Sequence, residues 1–116
     1  MNFAEYLIKD FKGDTKVKSI KFFRSNSAYG YIAWLTIISY YLNKSPLTIE
    51  KLVTTLEPYG SRRTILDFLN KGFDSGFLEK KNSIVDKRKF HLEPSKITLV
   101  EFNSWAMEFT SNIRPL

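Results

Sequence analysis

Cysteine is absent from the 116-residue sequence, and histidine occurs once, at His91. Without cysteine the chain can form no disulfide, no thiolate metal site and no cysteine nucleophile. The sequence has no phosphate-binding glycine loop of Walker type and no Gly-x-Ser-x-Gly elbow, and no spacing pairs its carboxylates for acid–base chemistry. His91 alternates with Phe90 and Leu92, so we expect it to face solvent rather than bind a metal. These absences predict a protein that is not an enzyme and holds no metal or cofactor.

Long hydrophobic runs are also missing. The most apolar stretch, residues 28–42, has 15 residues and falls short of the ~20 needed to span a bilayer. It is apolar nearly all round, which is typical of a central core helix. The N-terminus carries Glu5 and lacks a basic-then-apolar signal layout, which predicts a cytoplasmic protein without a membrane partner.

Hydrophobic and aromatic residues are plentiful, at 43% and 16%, which excludes a disordered chain and predicts one folded domain over residues 1–116. The net charge of +6 favours an acidic partner. The excess is local: residues 61–96 carry nine Lys and Arg against five Asp and Glu, and residues 9–24 carry six against two. Such clustering is not needed for solubility alone.

The N-terminal segment, residues 1–27, is expected to be helical. Apolar side chains recur four apart in residues 2–12 and predict an amphipathic helix. Residues 15–27 mix four cations with apolar side chains and do not separate into two faces, although a helix is still predicted there. Those cations fit either a DNA backbone or a solvated surface. The apolar side chains of the first helix are Phe3, Leu7 and Phe11.

A helix-turn-helix is predicted within residues 28–92. Thr48 is placed to cap a short helix, and Ser61 to cap a second one that ends at Gly76. Between them we expect a turn in which Glu57, because it precedes proline, leaves the α region and Gly60 accepts a positive φ. A short helix, a four-residue turn and a second helix have the spacing of a helix-turn-helix.

The second helix opens with two adjacent arginines, where the helix dipole disfavours cations, so we expect them to contact an anionic ligand, with DNA the best candidate. In a helix-turn-helix the second helix lies in the major groove, and the planar fork of arginine matches guanine. Neighbouring hydroxyls are expected to reach a phosphate. The alternative is that the arginines lie on a solvent-exposed surface and bind no ligand. These four residues are Ser61, Arg62, Arg63 and Thr64.

Residues 77–81 and 89–92 predict a β-hairpin, whose connecting loop holds Asp86, Lys87 and Arg88. A carboxylate two residues before an arginine can orient the guanidinium, which then fits a narrow minor groove. An ordinary charged turn is the alternative. The full set of predicted DNA contacts is Ser61, Arg62, Arg63, Thr64, Lys80, Lys81, Asp86, Lys87, Arg88 and Lys89.

A C-terminal helix is predicted over residues 95–113, with apolar side chains at alternating steps of three and four. This stripe and the one in the first helix are expected to join two copies into a homodimer. The alternative is that the two stripes pack on each other within one subunit. The predicted interface consists of Phe3, Leu7, Leu99, Phe102, Trp105, Ala106, Phe109 and Ile113.

Four segments, taken in order, resemble the MarR family of winged-helix regulators. They are LTIEKL at residues 47–52, SRRTI at 61–65, GFL at 76–78 and DKR at 86–88. The resemblance covers roughly residues 45–95. It implies a mainly helical fold with a small β-hairpin wing, and a dimer joined through its terminal helices that binds double-stranded DNA and typically represses transcription. A small phenolic effector is often bound in that family, although no residue here supports one.

The resemblance also assigns roles to residues. Residues 61–64 would enter the major groove, and Arg88, braced by Asp86, the minor groove. The chain is shorter than is usual for the family, and Gly72 stands where a core leucine is expected.

The sequence therefore predicts a winged helix-turn-helix that acts as a DNA-binding transcriptional regulator, with two alternatives left open. One is a winged helix used only for protein–protein interaction, with aromatic surface and the loop residues Ile84 and Val85 as the contact. The other is a replication or genome-maintenance factor with the same fold.

Overall fold

In the computed structural model the chain forms a mainly helical body with one small antiparallel β-hairpin, as the sequence predicted. The structure describes residues 2–13, 16–25, 27–83 and 89–112. Across these ranges no helix is long and apolar enough to cross a membrane. The helices are α1 (Phe3–Gly13), α2 (Lys18–Arg24), α3 (Ser27–Leu42), α4 (Ile49–Leu56), α5 (Arg62–Asp74) and α6 (Lys96–Asn112), and the strands are β1 (Leu78–Asn82) and β2 (Phe90–Pro94).

Helix α3 supplies the centre of the core, which confirms the prediction made from its apolar composition. Trp34 is completely buried and lies among aromatic rings from two other helices. Its ring centroid is 6.4 Å from Phe23 on α2, and 5.4 Å and 5.1 Å from Phe102 and Trp105 on α6. Large aromatic side chains bury much apolar area, so these contacts fix α2 and α6 on α3.

Local signals set the ends of the next two helices. The Thr48 hydroxyl accepts a hydrogen bond from the Lys51 N–H at 3.1 Å, and the Ser61 hydroxyl accepts one from the Thr64 N–H at 3.1 Å. Both residues are therefore N-caps of α4 and α5, as predicted. Gly76 adopts a φ of +80° immediately after α5, which confirms it as the residue that ends the helix.

The turn between α4 and α5 exists as predicted, but both reasons given for it are wrong. Glu57 stays in the α region with φ −51° and ψ −37°, and begins a single 3-10 turn. Gly60 is extended, with φ −173°, so no positive φ is needed. A Cβ atom on Gly60 would lie 3.3 Å from the Tyr29 ring on α3. Close packing against this ring, and not backbone conformation, therefore favours glycine at this position.

Gly72 is also explained by packing. It is buried in the last part of α5, and a Cβ atom on it would lie 2.8 Å from Leu78 Cδ1 and 3.3 Å from the Phe22 ring. The leucine expected at this position would not fit, because Leu78 of the hairpin already fills the space. Because Gly72 has no side chain, β1 packs directly against α5 at this point.

The hairpin pairs Leu78 with Pro94 and Asn82 with Phe90, so β2 runs two residues beyond its predicted end. Ahead of α4, Leu47 forms an isolated bridge with Leu92, whose N–H donates to the Leu47 carbonyl at 2.9 Å. The hairpin is thereby fixed to the segment that leads into α4. The predicted loop residues Asp86, Lys87 and Arg88, with Ile84 and Val85, lie outside the described residues.

The two terminal helices contact each other within the subunit. The Phe109 ring on α6 lies 6.2 Å from Phe3 and 5.5 Å from Tyr6, both on α1. Asp10 of α1 accepts hydrogen bonds from Arg24 of α2 at 3.0 Å and from Trp105 of α6 at 3.1 Å. Packing of the two apolar stripes on each other, the alternative left open by the sequence, is therefore observed. Ile113 lies outside the described residues.

Helix α6 is held at its beginning and in its second turn. The Phe77 carbonyl accepts hydrogen bonds from the Ser95 N–H at 3.1 Å and from the buried Thr98 hydroxyl at 2.7 Å. One turn later Glu101 accepts from the Ser19 N–H at 3.0 Å and also from the Ser19 hydroxyl. Ser19 lies in the first turn of α2, whose N-terminus has no side-chain cap of its own, so Glu101 caps α2 from another helix.

Candidate nucleic-acid interface

The two adjacent arginines at the start of α5 have different surroundings. Arg62 donates two hydrogen bonds to the carboxylate of Glu50 on α4, with Nη1 3.1 Å from Oε2 and Nη2 bonded to Oε1. The hydrogen bond from Arg62 lowers the pKa of Glu50, and the same contact raises the pKa of Arg62. Sequence reasoning missed this partner. It assigned Arg62 to an external anion, whereas the chain supplies one.

Arg63, by contrast, is exposed and has no ion-pair partner among the described residues. It lies on the outward face of α5, opposite the buried side chains that attach the helix to the core. Successive residues turn by about 100°, which places four exposed residues in one row along that face. The row contains two carboxylates, so it is not uniformly basic. Its members are Arg63, Asp67, Asn70 and Asp74.

Ser61 and Thr64 were predicted to reach a phosphate, and the structure places both at the exposed N-terminus of α5. The Ser61 hydroxyl donates to the Thr64 hydroxyl at 2.8 Å, in addition to accepting from the Thr64 N–H. Both hydroxyls therefore take part in capping the helix. Helix N-termini also present backbone N–H groups to anions, and this remains available to a phosphate.

Lys80 lies on the side of the hairpin that faces α5. Its Nζ is 5.0 Å from the centroid of Phe73 on α5 and 5.1 Å from that of Phe90 on β2. These are cation–π distances, and they direct the ammonium group to the junction of hairpin and helix. Lys89, just before β2, is exposed. Arg63, Lys80 and Lys89 are thus exposed cations on the two elements predicted to contact DNA.

The opposite face of the hairpin carries an ion pair and a histidine–carboxylate contact. Lys81 Nζ lies 3.4 Å from Glu79 Oε2, and His91 Nε2 lies 3.0 Å from Glu93 Oε2. His91 is therefore partly buried and paired, rather than simply facing solvent. This face borders a groove of about 860 Å³ whose lining includes Tyr41 and Pro46. Lys81 and Lys89 both line this groove.

Several predicted dimer residues are already in contact within one subunit. Phe102 and Trp105 pack on Trp34, and Phe109 packs on Phe3. Leu99 is partly buried against the same core, and Ala106 is also partly buried. The apolar side chains that stay most exposed on α1 and α6 were mostly not predicted. They are Leu7, Ile8 and Phe11 on α1, with Ile97, Val100 and Met107 on α6.

Within the part of the chain that the structure describes, no three His, Asp or Glu side chains are grouped so as to hold a metal ion. No protein-family model matches the sequence, and no curated protein matches it either. The proposal of a function therefore depends on the arrangement of α4, α5 and the hairpin.

Proposed function

We propose that this chain is a winged helix-turn-helix protein of the MarR type that binds double-stranded DNA in the cytoplasm and represses transcription as a homodimer. The observation that carries the proposal is the order and attachment of its elements. Helices α4 and α5 are joined by a short turn, and a hairpin follows directly. The Leu47–Leu92 bridge ties that hairpin to the segment before α4. A helix pair with an attached hairpin beside the second helix is the layout of a winged helix.

The exposed cations on these elements support DNA as the ligand. In this arrangement the N-terminus of α5 enters the major groove, where Arg63 donates to guanine O6 and N7. Lys80 and Lys89 lie near phosphates on the hairpin side. The loop residues Asp86, Lys87 and Arg88 remain proposed contacts to the minor groove. Arg62 keeps its bond to Glu50 on α4 rather than reading a base.

The exposed stripe on α1 supports the homodimer. Leu7, Ile8 and Phe11 are 39%, 58% and 59% exposed, although α1 contacts α6 through its other side. A two-fold pair of chains covers such a stripe with the same stripe of its partner. The two copies of α5 would then lie about 34 Å apart and meet successive major grooves.

A second candidate function is a winged helix that binds another protein. The observation in its favour is the pair of carboxylates, Asp67 and Asp74, on the outward face of α5, because carboxylates repel a phosphate backbone. A replication or genome-maintenance factor would bind duplex DNA with the same elements, and the sequence preference of binding separates it from a regulator.

The proposal is tested by duplex binding at two salt concentrations. Release of counterions predicts that affinity falls by roughly a thousandfold between about 50 and 200 mM salt for about six phosphate contacts. Selection from random duplexes should return one preferred sequence with two-fold symmetry. Arg63→Ala tests the proposed contact to guanine. Its control is Lys9→Ala, which removes the same charge from an exposed position on α1. Absence of duplex binding at low salt would favour the protein-binding function.

A further inference from the structure

The exposed row of Arg63, Asp67, Asn70 and Asp74 on α5 carries two carboxylates and one cation, with the exposed Lys71 beside it. Asp67 and Asp74 are exposed there, and within the described residues neither forms an ion pair. Arg63 precedes Asp67 by one turn, yet the two are not ion-paired. A helix face that served only to neutralise phosphates would not carry two carboxylates, since each one opposes binding to the backbone.

Position along the helix distinguishes the two carboxylates. Asp67 lies about 6 Å beyond Arg63 along the axis of α5, and Asp74 lies about 10 Å further on. In the proposed complex the N-terminal residues of α5 are at the base edges. Asp67 then remains within the groove, one or two base pairs from the guanine bound by Arg63, whereas Asp74 lies towards the far end of the helix.

A carboxylate within the major groove needs a donor. The N4 amino group of cytosine is such a donor, and Asp and Glu accept from it. Opposite guanine or thymine, whose major-groove edges offer only acceptors, Asp67 meets no donor from the base, and its charge is repelled by the nearby phosphates. One residue can therefore favour the correct site and oppose incorrect ones.

We propose that Asp67 is a specificity-determining residue of α5, which accepts a hydrogen bond from cytosine N4 next to the guanine read by Arg63. This inference rests on the proposed function. Its consequence is that Asp67 lowers affinity for most sequences more than for the preferred one, so that part of the discrimination comes from repulsion.

The experiment compares Asp67→Asn with Asp74→Asn, two nearly isosteric changes that remove the same charge from the same face of α5. Selection from random duplexes is carried out with each variant and the unaltered chain. For Asp67→Asn we expect the ratio of specific to non-specific affinity to fall by about tenfold. We also expect the preference at one position to move from cytosine towards adenine, which asparagine binds bidentately. Asp74→Asn should raise affinity for all duplexes alike and leave the preferred sequence unchanged.

The outcomes separate this inference from the proposed function. If the unaltered chain selects a sequence but Asp67→Asn changes neither ratio nor preference relative to Asp74→Asn, the role of Asp67 is wrong and the proposed function stands. If the unaltered chain binds no duplex, or binds without preference, the regulatory function is wrong and the role of Asp67 falls with it. Thermal unfolding of both variants checks that the fold is retained.

Discussion

Arg62 on α5 is joined by two hydrogen bonds to Glu50 on α4, twelve residues earlier in the chain. The planar fork of arginine and the two oxygens of a carboxylate match in such a pair, which gives it directional preference. Both side chains are more than half exposed, so the contact adds one directional link between α4 and α5 to the buried packing that positions the two helices. Arg63, its neighbour, has no such partner among the residues described and lies outward. Two identical side chains that are adjacent in sequence thus have different roles.

This difference predicts different effects on DNA binding. Arg63→Ala should cost ~1–3 kcal/mol on the preferred duplex and relax the preference at one position, because it removes a contact to a base. Arg62→Ala should weaken all duplexes slightly and to a similar extent, because it removes a positive charge from α5 without removing a base contact. Each variant is titrated against the preferred duplex and against a duplex in which the guanine is replaced, which gives the affinity and the base preference of each. If Arg62→Ala relaxed the base preference and Arg63→Ala did not, Arg62 rather than Arg63 would be the residue that reads the base.

The Glu50–Arg62 pair also predicts a pH dependence of stability. Glu50 has its pKa lowered from the ordinary 4.5 in the folded chain, so it binds protons more readily when unfolded. The stabilisation is therefore present above that ordinary value and is lost as the pH falls through the lowered pKa. A double-mutant cycle of Glu50→Gln and Arg62→Gln, followed by urea unfolding, should show coupling near about pH 7 that declines by about pH 3. If the coupling free energy did not change with pH, the Glu50–Arg62 ion pair would not be its source.

Gly72→Ala should destabilise the fold although alanine favours a helix by about 1 kcal/mol over glycine. The added Cβ would lie 2.8 Å from Leu78 Cδ1 in the core, and overpacking of this kind costs about 1–3 kcal/mol. Gly13→Ala is the matched control, because a Cβ on Gly13 meets nothing within 4 Å in the described structure. Leu78→Val removes the atom that Cβ approaches, so the double variant should lose less free energy of unfolding than the two single costs added. Simple additivity would show that the two residues do not clash.

Local signals explain which parts of the fold were predictable. Thr48, Ser61 and Gly76 act on backbone groups within a few residues of themselves, so the sequence around each one is enough to identify a helix end. The hairpin was predictable for the same reason. Its attachment to Leu47 was not, because an isolated bridge leaves no periodic pattern in the sequence.

The contacts that were missed all join residues that are distant in the chain or depend on how helices are placed. Gly60 was assigned to a positive φ, whereas its actual reason is the Tyr29 ring on α3. Glu50 was not recognised as the partner of Arg62, since a sequence does not give the angle between two helices. The apolar stripes of α1 and α6 were assigned to a second copy because an apolar stripe by itself does not specify which surface covers it.

The remaining exposed stripe predicts how two copies associate. Ile8→Asp should convert the homodimer to a monomer, because it places a charge in the middle of the stripe on α1. Ile8 is 58% exposed, so the free energy of unfolding of a single chain should change little. Thr54→Asp, an exposed position on α4, makes the same change of charge and should leave the dimer intact. Sedimentation at several concentrations measures both variants, and a monomeric unaltered chain would end the homodimer proposal.

The attachments of α6 have a mechanical consequence. Its start is bonded to Phe77 at the base of the hairpin, its second turn to Ser19, and its distal part packs on α1 through Phe109. With 17 residues the helix is about 26 Å long. Its middle is held where Glu101 bonds to Ser19 and where Phe102 and Trp105 pack on Trp34, which leaves a short arm towards the hairpin and a longer arm at α1. If the helix stays rigid, a displacement of about 2 Å at its distal end, roughly 16 Å from Glu101, would rotate its base by roughly 7°. Strain applied to the terminal helices thus reaches the hairpin as a change of tilt, reduced in amplitude but not lost.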